Sequence, residues 1–304
     1  MAETIKQNRA ASQGFTLMEL LVVVVIIGIL AGVVVLGLKT MRERGRVGGL
    51  KEVSSAFDSV LRTDLRAEWK FDEGSGSTAL DTSGNNQNGT LGGTGASCNT
   101  INCTSGNGNC PTYYEDNAKN SFALEFDGTN DYVVLPSSAI DRQKGTVTMW
   151  IKRGFATWGA SGTSIGVFRM RSNPQSERWS VTLKNESGNV RRLQMTWRTG
   201  IVGGGANIFT SVGNWQTGEW HFVAMTWDAS MNDGKIYVDG VSNSQKEGII
   251  PIDPIDSCLR LGGYADIMFK GAIDDLKIYG KILTAGEIQS LYAQTAPKYH
   301  LATQ

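Results

Sequence analysis

An unbroken apolar run sets the first limit on what this chain can become. From Phe15 to Leu38, 24 residues carry one charge, Glu19, and a polar stretch ending in Gly14 precedes them. At about 1.5 Å rise per residue the run makes a helix of roughly 36 Å, enough for a hydrocarbon core of about 30 Å. A secretory signal would place its apolar region before the cleavage site, whereas here the run follows the glycine. Lys39, Arg42, Arg44 and Arg46 crowd the far flank against Lys6 and Arg9 in the leader. Positive charge alone therefore leaves the orientation open. A carboxylate in lipid costs about 2.5–3.5 kcal/mol on insertion scales, so Glu19 needs a partner or a place at the headgroup edge.

Beyond the run, Val47, Leu50, Val53, Phe57, Val60, Leu61 and Leu65 recur every three or four residues, with Arg42, Glu43, Lys51, Asp58 and Arg62 on the other face. This spacing predicts a continuing amphipathic helix over 39–66, weakened at its start by Gly45, Gly48 and Gly49. From Trp69 the period becomes two. Strands are predicted at 69–71, 122–126, 132–135, 146–153, 164–171, 179–184, 192–198, 206–211, 221–227, 235–238, 259–262 and 272–279. Turn signals such as Asp127-Gly128 and Asp239-Gly240 punctuate them, the pattern of an all-β sandwich or jelly roll. Trp150, Trp197, Trp220 and Trp227 are expected in the core or on the sheet rather than as sugar platforms. A helix is predicted at 284–294, where Thr284 and Glu287 have the spacing of a capping box. The expected organisation is a leader at 1–14, a helix at 15–66 that spans the membrane over 15–38, a sandwich at 67–296 and a tail at 297–304.

Charge balances, with 29 basic and 29 acidic residues, and no basic stripe suggests nucleic acid. Cys98, Cys103 and Cys110 share one polar loop and Cys258 stands apart. Their spacing, with His221 and His300 far off in sequence, does not suit zinc. In an exported domain two disulfides are expected. Four cysteines allow three pairings; the favoured one has a bridge within the 98–110 loop and another from it to Cys258. Glycoside hydrolysis needs two carboxyl groups about 5–9 Å apart. Asp72-Glu73 and Asp274-Asp275 are adjacent, and strand neighbours point to opposite faces. His221 has no Ser or Cys partner in sequence, and no enzyme is expected.

Gly14-Phe15-Thr16-Leu17-Met18-Glu19 and the aliphatic run after it resemble the class III signal of type IV pilins and type II secretion pseudopilins. The resemblance implies that a prepilin peptidase cuts between Gly14 and Phe15 and methylates Phe15. It implies that Glu19 pairs with the N-terminal amine of a neighbouring subunit during assembly. It also implies a single pass through the bacterial inner membrane with the head outside, and later a place in a pilus or pseudopilus. Many major pilins interrupt this helix with a proline; the matching position here is Leu36, and Gly28, Gly32 and Gly37 offer local flexibility instead.

The remainder resembles the bacterial laminin G-like, concanavalin A-like family. The resemblance rests on Trp69-Lys-Phe-Asp-Glu-Gly-Ser-Gly76, Asp81-Thr-Ser-Gly-Asn85 with Asn88-Gly-Thr-Leu91, and Leu124-Glu-Phe-Asp-Gly128 with Asp131-Tyr-Val-Val134. It continues through Thr146–Trp150, Ile236–Gly240 and Phe269–Tyr279. Where that family usually reads Trp-x-His-Val-Ala, Phe222 takes the histidine position and His221 precedes it. Residues 92–120 read as an insertion. The resemblance implies a structural Ca2+ where the first and last strands meet, with Asp72, Asp81 and Asp274 as the matching acids. Turn capping is the alternative for each. Together the two resemblances imply a minor pilin or pseudopilin that displays a lectin-like sandwich for adhesion to glycan or protein. The alternatives are an assembly or secretion component whose head meets only subunits or cargo, and, more remotely, a fibre-displayed glycan hydrolase.

Overall fold

The computed structural model describes positions 18 and 21 and residues 59–92, 110–116, 121–157, 162–172, 176–187, 190–199, 204–248, 258–264 and 267–300. Gly14, Phe15, Glu19, Cys98 and Cys103 lie outside the described residues. The chain divides into two compact units, 1–61 and 62–304. In the first, Met18 and Leu21 are helical and exposed. Among the described residues no helix is long and apolar enough to cross a membrane; apart from those two positions, the 15–38 run is not among them.

The second unit is a β-sandwich. Its strands are β1 (Leu65–Trp69), β2 (Thr78–Ala79), β3 (Gly89–Gly92), β4 (Thr112–Asp116), β5 (Ser121–Asp127) and β6 (Tyr132–Leu135). Next come β7 (Lys144–Arg153), β8 (Thr163–Ser172), β9 (Ser176–Glu186), β10 (Val190–Thr199), β11 (Gly204–Ser211) and β12 (Trp220–Asp228). The last are β13 (Asp233–Val238), β14 (Gln245–Gly248), β15 (Cys258–Leu261), β16 (Gly263–Tyr264), β17 (Ile267–Met268) and β18 (Lys270–Tyr279), before helix α1 (Ala285–His300). Among the described residues one sheet runs β13-β12-β7-β18-β5-β4, with β1 also pairing β18. The other has nine strands in the order β14-β11-β10-β9-β8-β15-β6-β3-β2. All the pairs are antiparallel, and first and last strands meet where Trp69 faces Leu276.

Alternation builds the core. Val147, Met149 and Ile151 of the first sheet and Val181, Leu183, Leu193 and Met195 of the second are buried in one cluster. Each such side chain contributes about 1.5–3 kcal/mol on burial. The opposite face of the first sheet is covered by α1. Trp150, facing Phe222 and Asp274 across the strands, stacks on Tyr299 at 4.0 Å between ring centroids and donates its Nε1–H to Thr295. The predicted capping box is present: the Thr284 amide donates to Glu287 and the Glu287 amide donates to Thr284 Oγ1.

Several boundaries differ from the sequence reading. The helix predicted to 66 ends at Thr63, and Leu65, Ala67 and Trp69 continue as a strand because β18 offers them a register. The strand predicted at 69–71 stops at Trp69, since Phe71 turns the chain at φ 53° while keeping its ring fully buried. The last helix runs to His300 rather than 294, so the first half of the predicted tail is helical. The short strands β2, β3, β4, β14, β16 and β17 escaped prediction; their partners in the sheets supply what propensity does not.

Candidate ligand-binding face

Register decides which face of the nine-stranded sheet each residue occupies. Leu135, Leu259, Met170, Trp179, Trp197 and Ala206 lie in one row across the strands and face the core. One residue along, the row reads Val134, Arg260, Arg169, Ser180, Thr196 and Asn207, on the face away from the core. The next outward row across β9–β11 reads Thr182, Gln194 and Phe209. A polar face on a sheet packed on its other side is ordinary. Here, though, Ser180, Thr182, Gln194, Thr196 and Arg260 are each no more than 6% exposed.

Their hydrogen bonds are unevenly shared. Gln194 Nε2 donates to Thr196 Oγ1 at 2.7 Å and to Asn207 Oδ1 at 3.0 Å, and Thr196 Oγ1 donates to the same Asn207 oxygen at 3.1 Å. That leaves Gln194 Oε1 as an acceptor and Asn207 Nδ2 as a donor without a partner among the described residues. Thr182 Oγ1, on the neighbouring strand, is buried without one. A buried hydroxyl left unpaired costs about 1–3 kcal/mol, which a bound polar group would recover. At the rim the Arg192 guanidinium lies 4.1 Å from the Phe209 ring centroid and pairs with Glu186 at 2.8 Å. Arg260 sits over Tyr132 at 4.4 Å. An acceptor, a donor and a hydroxyl thus lie across three strands beside an aromatic ring, groups that pair with hydroxyls and amides.

The acids matched to calcium by resemblance are put to other uses. Asp81 Oδ1 accepts the amides of Glu68 and Ser83, and Oδ2 accepts the Ser83 hydroxyl and the Gln87 amide. Burial works to raise its carboxyl, but these donors outweigh it and hold the group below the usual range. Asp81 thus ties the Asp81–Asn85 turn to β1. Asp72 accepts the Phe122 amide. Asp274 is fully buried beneath α1, where Tyr299 Oη donates to it at 2.7 Å. The three do not fit a shared calcium site: among the described residues no cluster of three or more acid, histidine or cysteine side chains could hold a metal.

Asp274 and Asp275, expected on opposite faces, are brought together. A bulge interrupts the pairing of β18 with β7 between Asp274 and Lys277, with Asp275 at φ 47°. Both Oδ2 atoms then lie 2.7 Å from Tyr299 Oη. His221 stacks on Trp215 with ring centroids 4.4 Å apart and places Nδ1 2.9 Å from Asp239 Oδ2, whose other oxygen accepts the Phe222 amide. Those contacts fix a hairpin corner, with Asp239 itself at φ 50°. Trp150, Trp197, Trp220 and Trp227 are all under a tenth exposed, so none is an open platform. Cys110 is disulfide-bonded; Cys258 opens β15 opposite Arg171, and the pairing lies outside the described side chains. The sequence reading missed Thr182, Gln194, Thr196 and Asn207. Their one local signal is polar alternation within β9–β11.

Residues 127–289 match the model of the concanavalin A-like lectin/glucanases superfamily. The chain belongs to that superfamily. Residues 9–35 match the prokaryotic N-terminal methylation motif, so a pilin-type N-terminal segment precedes the sandwich in the chain. No curated protein matches the chain. Among solved structures, domain 4 of AbnA, a GH43 extracellular arabinanase from Geobacillus stearothermophilus, in complex with arabinotriose, superposes with TM-score 0.53 at 22% identity, over 75% of this chain and 98% of that one. The receptor binding domain of botulinum neurotoxin C/D mosaic serotype gives 0.57 at 16% identity, over 77% and 52%. The botulinum neurotoxin serotype D ligand binding domain in complex with N-acetylneuraminic acid gives 0.54 at 16%, over 78% and 52%. The chain spans about half the length of these toxin domains, and at such identities the likeness is one of fold.

Proposed function

We propose that this protein is a pilin-like structural subunit, a minor pilin or pseudopilin, that displays its sandwich for adhesion to glycan-bearing surfaces. In this reading a prepilin peptidase cuts between Gly14 and Phe15 and methylates Phe15. The helix is held in the inner membrane with the head outside, and Glu19 pairs with a neighbouring subunit's N-terminal amine as the fibre forms. The observation that carries the adhesive part is the pair of outward rows that holds the hydrogen-bonded Gln194, Thr196 and Asn207 and the unpartnered Thr182 hydroxyl. Hydroxyl-rich ligands supply both donors and acceptors to such a face. The superfamily membership and the arabinotriose complex of the arabinanase domain support this ligand class. The face offers binding, and we assign it no bond-cleaving step.

The test is a glycan array probed with the processed protein in detergent. Binding to at least one glycan class is expected. Asn207→Asp, which keeps the oxygen that Gln194 and Thr196 donate to and removes the open amide donor, should weaken it about tenfold, the worth of one good hydrogen bond, with little change in Tm. If no glycan is bound, the head serves assembly instead and meets only other subunits or cargo.

A further inference from the structure

The acid pair beneath α1 is positioned where the sandwich family's calcium was expected, at the meeting of first and last strands. The bulge at Asp275 turns two adjacent carboxylates to one face. The Asp275 amide donates to Asp274 Oδ1, so the pair is locally fixed. Against it α1 brings two donors from consecutive residues. Tyr299 Oη lies 2.7 Å from each Oδ2, and Lys298 Nζ lies 3.4 Å from Asp274 Oδ2 and 3.3 Å from Asp275 Oδ2. Asp72, on the segment that follows β1, also acts on the Lys298 charge. Calcium takes six to eight oxygens, mostly carboxylate and carbonyl. Here the carboxylates already face an ammonium group and a phenol that is stacked on Trp150.

We infer that Lys298 is a built-in replacement for a divalent cation: its ammonium group neutralises Asp274 and Asp275, so the sandwich is closed by α1 without calcium. Like charges forced together on a buried bulge require a compensating charge. A lysine on a helix supplies it only when that helix is docked. Supporting this, burial works to lower the Lys298 ammonium group, but Asp275, Asp274 and Asp72 outweigh it and raise it above its ordinary value. Burial, then the two acids, raises the Tyr299 phenol well above its own, so it stays a donor. The inference does not depend on the ligand of the opposite sheet.

The experiment uses the full chain in detergent, with thermal unfolding followed in EDTA and in calcium, and terbium luminescence excited through tryptophan. The wild type should show no calcium response in Tm and no sensitised terbium emission. A resident site held at a hundredfold its Kd would instead raise Tm by about 5–10 °C. Lys298→Met should melt lower and gain both terbium emission and a calcium-dependent rise in Tm. A wild-type Tm that rises with calcium, and loses that rise in Asp275→Asn, overturns the inference. So does a folded Lys298→Met protein that ignores calcium and terbium. If that variant does not fold, the wild-type titration alone decides.

Discussion

Asp131 shows how much one carboxyl can matter in this head. It follows the Asp127-Gly128 turn, is 4% exposed, accepts the Asp127 amide through Oδ2 at 2.7 Å, and leaves Oδ1 buried without a partner. Burial, with the charges of Asp127 and Glu125 adding to it, pushes its carboxyl up to about 6 from an ordinary 3.8. A carboxyl raised in the folded state binds its proton more tightly there. Its contribution is therefore favourable below the unfolded pKa and is lost as pH rises through about 6. Asp131→Asn keeps an oxygen for the Asp127 amide and removes the charge. Urea unfolding should find it about 1 kcal/mol more stable than the wild type near pH 7, a figure discounted for solvent screening. The advantage should vanish near pH 4. A variant less stable at pH 7 would mean that the ionised form has a partner worth more than its desolvation. At this scale the sequence marked Asp81 and Asp131 through their turn motifs. It could not tell a metal ligand from a turn hub, because that depends on which amides the fold brings to the oxygens.

Among the elements, α1 repays the closest look. Its start was legible, since Thr284 and Glu287 form their box within four residues. Its end was not. A proline at 297 and the polar Lys298 suggest a tail. What holds them is remote: Trp150 on β7 and the bulged acids on β18. Two substitutions separate the contributions. Thr284→Ala should cost about 1 kcal/mol, the value of one N-cap. Tyr299→Ala should cost about 3–5 kcal/mol, because it removes a buried aromatic and the donor shared by two carboxylates. Denaturant unfolding of both variants provides the check. If Tyr299→Ala costs no more than Thr284→Ala, the helix end is not docked on the sheet. The strands show the same division. Long alternating runs such as 146–153 and 221–227 declared themselves, while β2 and β14 exist only through their neighbours. The bulge at Asp275 has no local signature, and it reverses the expectation for the acid pair.

At the level of the whole molecule, two sequence signals of different reach combine. The methylation motif is local and was readable outright. The superfamily fold was readable from turn motifs spread in order along the chain. The outward polar rows were hidden, because Thr182, Gln194 and Asn207 are brought together by the register of three strands rather than by spacing. The superfamily match and the methylation motif together describe a sandwich that follows a pilin-type N-terminal segment in the chain. That account is tested most directly by mass spectrometry of fibres sheared from the cell surface. They should yield this chain beginning at Phe15 with a methylated amine and carrying the intact sandwich through α1. A chain that still begins at Met1, and that stays in the membrane fraction while absent from the fibres, would contradict it.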